Sequence, residues 1–445
     1  MPEMMAIGDS LFNGVRSLTI NKDLAYWSAP AQVARALGLA DFVNPDYPRN
    51  VVINLEEWLK RLEFLFDLHD NIKFWDNCPH SSLDQFDNIA IASAQYADLW
   101  NRTADVAQGQ LDALHSQLGP DFYWINSHLA DQFFAFNTRF LLNPRGTAGA
   151  GGLSPLAIVT QRRPRRLLVS IGANNGLWSM GFDAIPSTGR IGGDTGPFNQ
   201  HDLADLKELI RRLSALPGTE DGVQGVEHIY INALPLPSGV ANLMPGPNVA
   251  DQPKQYYFRS YENSFGFTYG TLSDAQAKLN DQTVQLVNAL LRELAQQDAR
   301  IHIVPIDAVI SSYDFKHKDN GATIPIGDKI LSNDMVAGNT SGWRGGLMGL
   351  DGMHPSIVGY AVMAQAILDE ITRYEGVQPL TPPSFQAAYQ ADTMLTNLPV
   401  LWDEVHDAWL DIRRKAHTAP LAVQPSNLVD AAVIRLMKAV RFKTH

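Results

Sequence analysis

The sequence predicts an α/β fold built on a central, mostly parallel sheet of about five strands. Three observations carry that prediction. Short apolar, β-branched runs recur ahead of longer helical patterns, which is the arrangement of successive βα units. The chain has 445 residues, 45% of them hydrophobic, enough to bury at least one sizeable core. Cys78 is its only cysteine, so no intramolecular disulfide or cysteine-cluster metal site exists and the fold stands on packing.

The strand candidates, in order, are MMAI at 4–7, VVINL at 51–55, NIAIA at 88–92, RLLVSIG at 166–172, HIYINA at 228–233 and IHIVPI at 301–306. Helical patterns fall near 28–38, 56–68, 96–118, 201–214, 273–297 and from Ser356 to about Tyr374. Pro355 fits the first position of that last helix, where a missing amide hydrogen costs nothing. The stretches near 180–200, 235–269 and 311–348 are rich in Gly, Pro, Asn and aromatic residues and read as elaborated surface loops suited to enclosing a pocket. Residues 121–150 read as a helical insertion closed by a turn. PLTPPS at 379–384 marks a break, and helical patterns follow at 385–416 and 427–441. The organisation expected is one domain over 1–378, with insertions at about 121–165, 180–200, 235–269 and 311–348. A helical extension over 379–445 follows, packed on the domain or serving as a lid or oligomerisation element.

Charge narrows the partners. Forty-seven acidic residues against 35 Lys and Arg give a net charge of -12, and no basic stripe offers a nucleic-acid footprint. The one basic cluster, RRPRR at 162–166, reads as a solvated loop ahead of a strand. No apolar run approaches the roughly 20 residues that span a bilayer, and no secretory signal opens the sequence. A cytoplasmic location is the default expectation; a secreted or periplasmic one holds if a native leader preceded Met1.

Three short segments carry chemistry. Ile7-Gly8-Asp9-Ser10-Leu11 places a serine directly after the first strand candidate, where α/β sheets present their functional residues. Taken alone it is equally a turn with a capping residue. Asp351-Gly352-Met353-His354-Pro355 supplies an imidazole able to take a hydroxyl proton near neutrality, and a carboxylate three residues away to orient it. A helix cap beside a surface histidine is the plain alternative. Gly172-Ala173-Asn174-Asn175 follows a strand candidate and offers a side-chain amide and backbone N–H groups to a developing oxyanion.

Taken in chain order, the segments resemble the motif blocks of the GDSL, or SGNH, hydrolase superfamily of esterases, lipases and acetylesterases. Ser10 matches its nucleophile, Gly172 and Asn174 its G-x-N-D block, and Asp351 and His354 its D-x-x-H block. Asn88–Ala94 resembles the second block, with Ser93 where a glycine normally lends a backbone donor to the oxyanion. Asn175 stands where the family has a structural aspartate. The resemblance covers roughly 4–373 and implies a three-layer α/β/α sandwich of flavodoxin-like type. It also implies ester cleavage by Ser10, Asp351 and His354 through an acyl-enzyme, with Ser93 and Asn174 as oxyanion donors and no metal or organic cofactor. The substrate expected is a small-molecule or acylated-carbohydrate ester, most simply an acetyl or other short-chain ester. Longer acyl esters and thioesters are alternatives, as is a catalytically weakened carbohydrate- or lipid-binding relative.

The 12 histidines show no H-E-x-x-H spacing, and no dinucleotide or phosphate-loop glycine pattern occurs, which argues against metal-dependent hydrolysis and nucleotide binding. Trp27, Trp178, Trp343 and the aromatic stretch 256–268 are candidates to line a cleft, with core packing the commoner use of such side chains. A homo-oligomer is compatible with the extension.

Overall fold

The computed structural model describes residues 1–397 apart from 52–53, 55, 58–63, 125, 182, 221, 246–256, 264–270, 315–316, 318–320, 328 and 334–345. Its strands are β1 (Met4–Gly8), β2 (Arg166–Ser170), β3 (His228–Asn232), β4 (Leu243–Pro245), β5 (Ser260–Asn263), β6 (Thr271–Ser273), β7 (Ile301–Val304), β8 (Ile324–Ile326) and β9 (Lys329–Leu331). The central sheet is parallel throughout, in the order β1-β2-β3-β7.

A fifth segment lies along the free edge of β1. Ala6 N donates to Asp87 O at 2.8 Å, Ile89 N to Ala6 O at 2.9 Å and Ile91 N to Gly8 O at 2.8 Å. The predicted run at 88–92 thus extends the sheet by main-chain bonding, with a single regular bridge, Ala6 to Asn88. Of VVINL at 51–55 only Val51 and Asn54 are described, and neither belongs to a strand of this sheet. Val51 pairs with Ile20 in one isolated antiparallel bridge, and residues 52, 53 and 55 lie outside the described residues.

Both faces of the sheet are buried, which is why its strands are apolar on consecutive residues. Met5, Ile7, Leu167, Val169, Ile229, Ile231 and Ile301 point into one core, shared with the helices Leu129–Leu142, Pro155–Arg162, Gln200–Ser214 and Asp274–Ala295. Met4, Ala6, Leu168, Tyr230 and Val304 point into the other, shared with Ala29–Ala36, Ile306–Ser312 and Ile357–Glu375. The strand period of two sends alternate side chains to opposite layers, and the result is the expected three-layer α/β/α sandwich.

Two details differ from the sequence-based expectation. Ser356, not Pro355, begins the helix Ile357–Glu375: its side chain caps Gly359 N, which leaves Pro355 outside the helix in a bridge with Met348. The basic cluster is not a solvated loop, since Arg162 pairs with Asp87 at 2.6 Å, Arg165 with Glu227 at 2.7 Å and Arg166 with Glu375 at 2.6 Å. Arg166 opens β2 inside the protein, so its charge requires a buried partner.

Parts of the long connections also acquire structure. The antiparallel sheet β4-β5-β6 forms within 235–273, and the hairpin β8-β9 within 311–348. Residues Phe385–Ala391 and Thr393–Thr396 of the extension are helical, and Ala388, Met394 and Leu395 join the main core. The pattern at 427–441 lies outside the described residues. Among the described residues no helix is long and apolar enough to cross a membrane.

Candidate active site

Parallel strands in register end together, and here Gly8, Ser170, Asn232 and Val304 finish along one edge of the sheet. Ser10 emerges there in a single helical turn, Ser10–Asn13, capped by Asp9, whose carboxylate accepts from Leu11 N at 3.1 Å. Gly8 is required for this exit: its φ is +141°, and a Cβ would lie 1.9 Å from the Ser170 carbonyl oxygen.

His354 meets Ser10 from 344 positions further along the sequence. Its Nε2 lies 2.9 Å from Ser10 Oγ, and its Nδ1 lies 2.9 Å from Asp351 Oδ2. Asp351 is fully buried and also accepts main-chain N–H bonds from Leu18, Met353 and His354, each at 2.9 Å. Burial pushes its pKa up, yet the neighbouring imidazole and the His354 and Met353 amides outweigh burial and hold the carboxyl below its ordinary value.

The other two blocks meet beside this row. Tyr96 N donates to Asn175 Oδ1 at 3.1 Å, and Asn174 Nδ2 donates to Ala94 O at 2.9 Å, so 93–96 and 172–175 are tied together. Asn174 lines the same cavity as Ser10 and His354, and its amide keeps a second hydrogen beyond the one given to Ala94. Ser93 holds a left-handed φ of 69°, the conformation for which a glycine would be expected, and its hydroxyl lies 3.4 Å from Arg102 Nη1. The backbone N–H groups of Ser10 and Ser93 have no partner among the described residues.

Asn175 has a local explanation. Its Nδ2 donates to Asp202 Oδ1 at 2.7 Å, and an aspartate at 175 would set two carboxylates against each other. Gly172 takes φ +109°, and a Cβ there would lie 2.4 Å from the Tyr96 hydroxyl.

Of the aromatic candidates, Trp178 lies beside the site, its ring centre 6.0 Å from that of His354. Trp27 lines a different cavity, with Arg16 and Arg49. Phe258 and Tyr261 pack into a small cluster with Val240 and Leu243, and Trp343 lies outside the described residues. Two contributors were not foreseeable from the motifs. The Leu18 amide is a backbone donor with no side-chain signature. Asp9, legible only as a possible cap, also faces Ala173 N at 3.4 Å and so joins the first block to the third.

Asp9 is fully buried, and desolvation raises its pKa from 3.8 to about 7 against the lowering pull of the Leu11 and Ala173 amides and of His354. The folded protein therefore holds this proton more tightly than the unfolded chain, so Asp9 costs stability progressively as pH rises from about 4 to about 7. Asp9→Asn removes that cost. The difference in Tm, variant minus parent, is expected to grow as pH rises across this range in a thermal-unfolding series, and a flat difference would show that the carboxyl is not perturbed.

The family model described as GDSL-like Lipase/Acylhydrolase matches residues 4–367. No curated protein and no solved structure matches the chain.

Proposed function

Because the chain belongs to the GDSL-like lipase/acylhydrolase family and acts on ester bonds, we propose that Ser10 is its nucleophile, with His354 as base and Asp351 orienting the imidazole. The observation that carries this reading is the unbroken row Asp351 Oδ2, His354, Ser10 Oγ, with 2.9 Å at each step. His354 Nε2 takes the hydroxyl proton while Ser10 Oγ bonds to the acyl carbon. The Ser10 and Ser93 amides and the Asn174 side chain hold the resulting oxyanion. The intermediate collapses by breaking the bond to the leaving alkoxide, which receives the proton from His354. Water then enters, gives a proton to the same nitrogen and forms the new bond to the acyl carbon. Ser10 leaves with that proton, and the carboxylic acid departs.

The acyl group expected is short. The cavity at Ser10 is small, about 40 Å³ against about 760 and 550 Å³ for two other cavities of the protein. It is lined by apolar side chains that include Leu177, Val240, Ile306, Ile310, Met348 and Met363. A panel of nitrophenyl esters with increasing acyl length is expected to give its highest kcat/KM at acetyl to butyryl and to fall beyond. A fluorophosphonate is expected to label the peptide that contains Ser10. A maximum at long chains would remove the short-acyl assignment; a label on any other residue would remove the nucleophile assignment.

A further inference from the structure

The carboxyl-terminal extension reaches the site from behind. Asp392 is fully buried, and its Oδ1 accepts from Arg16 Nη1 at 2.6 Å, while its Oδ2 accepts from Ile357 N at 2.7 Å. Arg16 also bonds Glu56, and Thr393 Oγ1 at 3.0 Å. Ile357 opens the helix that follows His354.

Arg16 begins an unusual turn. Arg16 and Thr19 exchange main-chain bonds of 2.9 and 3.0 Å, and between them Ser17 and Leu18 both adopt left-handed backbone, with φ of 53° and 56°. Two consecutive non-glycine residues in that region are unfavourable and persist only where the surroundings fix them. Here the surroundings are Asp392 on Arg16, Met394 Sδ 3.7 Å from Ser17 Oγ, and Leu350 N donating to Ser17 Oγ at 3.0 Å. The turn has a visible product: it aims Leu18 N at Asp351 Oδ2, the oxygen that faces His354.

We propose that Asp392 is a positioning residue for the Asp351 and His354 pair: by holding Arg16 it fastens the left-handed turn whose Leu18 amide orients the Asp351 carboxylate. The proposal rests on the reading that Asp351 orients His354. It gives the extension a part in turnover that packing alone does not supply. The connection runs from Asp392 through Arg16, Leu18 and Asp351 to His354 and Ser10, and each link is a hydrogen bond or a step along the turn.

The test uses the full chain with Asp392→Asn, which removes the charge facing Arg16 and leaves one oxygen to serve either Ile357 N or the Arg16, Met394 N and Leu395 N donors on the other side. Turnover is measured per site titrated with fluorophosphonate, and the downfield proton resonance of His354 Nδ1–H is recorded alongside. The expected result is a kcat lower by roughly ten- to a hundredfold, the scale of a small misplacement at a reacting centre. KM is expected to stay within about twofold, as for a loss confined to the transition state, and the resonance to shift or broaden.

Adding Leu18→Gly, a residue that takes φ near 56° without steric cost, is expected to return part of the lost kcat. An unchanged kcat per titrated site, an unmoved resonance, or no recovery with Leu18→Gly would each overturn the proposal. Should Asp392→Asn not fold, Arg16→Lys, which keeps the charge and loses the guanidinium fork, is subject to the same criteria. The resonance reports the Asp351 and His354 geometry without any substrate. A protein inert toward esters would therefore sink the proposed chemistry, while the shift of the resonance in Asp392→Asn would still decide the positioning role.

Discussion

Alanine in place of Ser10 is expected to lower kcat on short-chain esters by on the order of 10⁶-fold, the scale reached when a nucleophile is removed from residues that act as a unit. Fluorophosphonate labelling should vanish in the same variant. The magnitude follows from what Ser10 does alone. Among the described residues its Oγ is the only atom bonded to His354 Nε2, and no neighbouring hydroxyl stands ready to replace it. The loss is not structural. Ser10 occupies the first position of a one-turn helix whose cap comes from Asp9, and among the described residues its hydroxyl bonds only the imidazole. The free energy of unfolding is therefore expected to change by no more than about 0.5 kcal/mol either way, the range of substitutions that break no packing or buried network. A folded variant that still turns over esters at the parental rate would place the nucleophile elsewhere.

The parts of this site that were legible in the sequence are those written in a few adjacent residues. Ser10 follows a strand by one turn, and Asp351 and His354 are three apart, so a local pattern contains the geometry. The sheet was legible for the same reason, because burial on both faces leaves consecutive apolar residues at β1, β2, β3 and β7. The run at 51–55 has the same local composition, yet Val51 pairs with Ile20 in an isolated bridge, because neighbours in space decide pairing.

What stayed hidden depends on distant partners or on backbone atoms. Asn175 read as the loss of a charge, whereas its partner 27 residues on, Asp202, makes the neutral amide the fitting group. Arg16 and Asp392 are 376 positions apart, and nothing in PLTPPS announces that the chain beyond it returns to bond the loop beneath Asp351. The Leu18 amide has no signature at all, since every residue but proline carries one.

Asparagine in place of Asp351 is expected to lower kcat about 10⁴-fold, with its cause in the tautomer of His354 rather than in lost packing. Asp351 Oδ1 accepts from Met353 N and His354 N, and Oδ2 accepts from Leu18 N and His354 Nδ1. An asparagine turned to keep its oxygen on the first pair sets an NH₂ against two donors. A reversed amide merely moves the conflict to the other pair. The conflict at His354 is relieved if the ring gives up its Nδ1 proton and carries it on Nε2, which is the nitrogen that must accept from Ser10 Oγ. Deprotonation at higher pH does not repair this, so the deficit should persist across the alkaline range.

Stability supplies an independent check on the same substitution. A carboxyl held below its ordinary pKa contributes stability that is present above about pH 4 and is lost as pH falls through its lower folded value. The variant has no such group, so its Tm should fall less steeply than the parent's in the acid limb. Parental kcat per titrated site in Asp351→Asn would show that His354 is oriented by something else, and it would remove the premise on which the role of Asp392 rests.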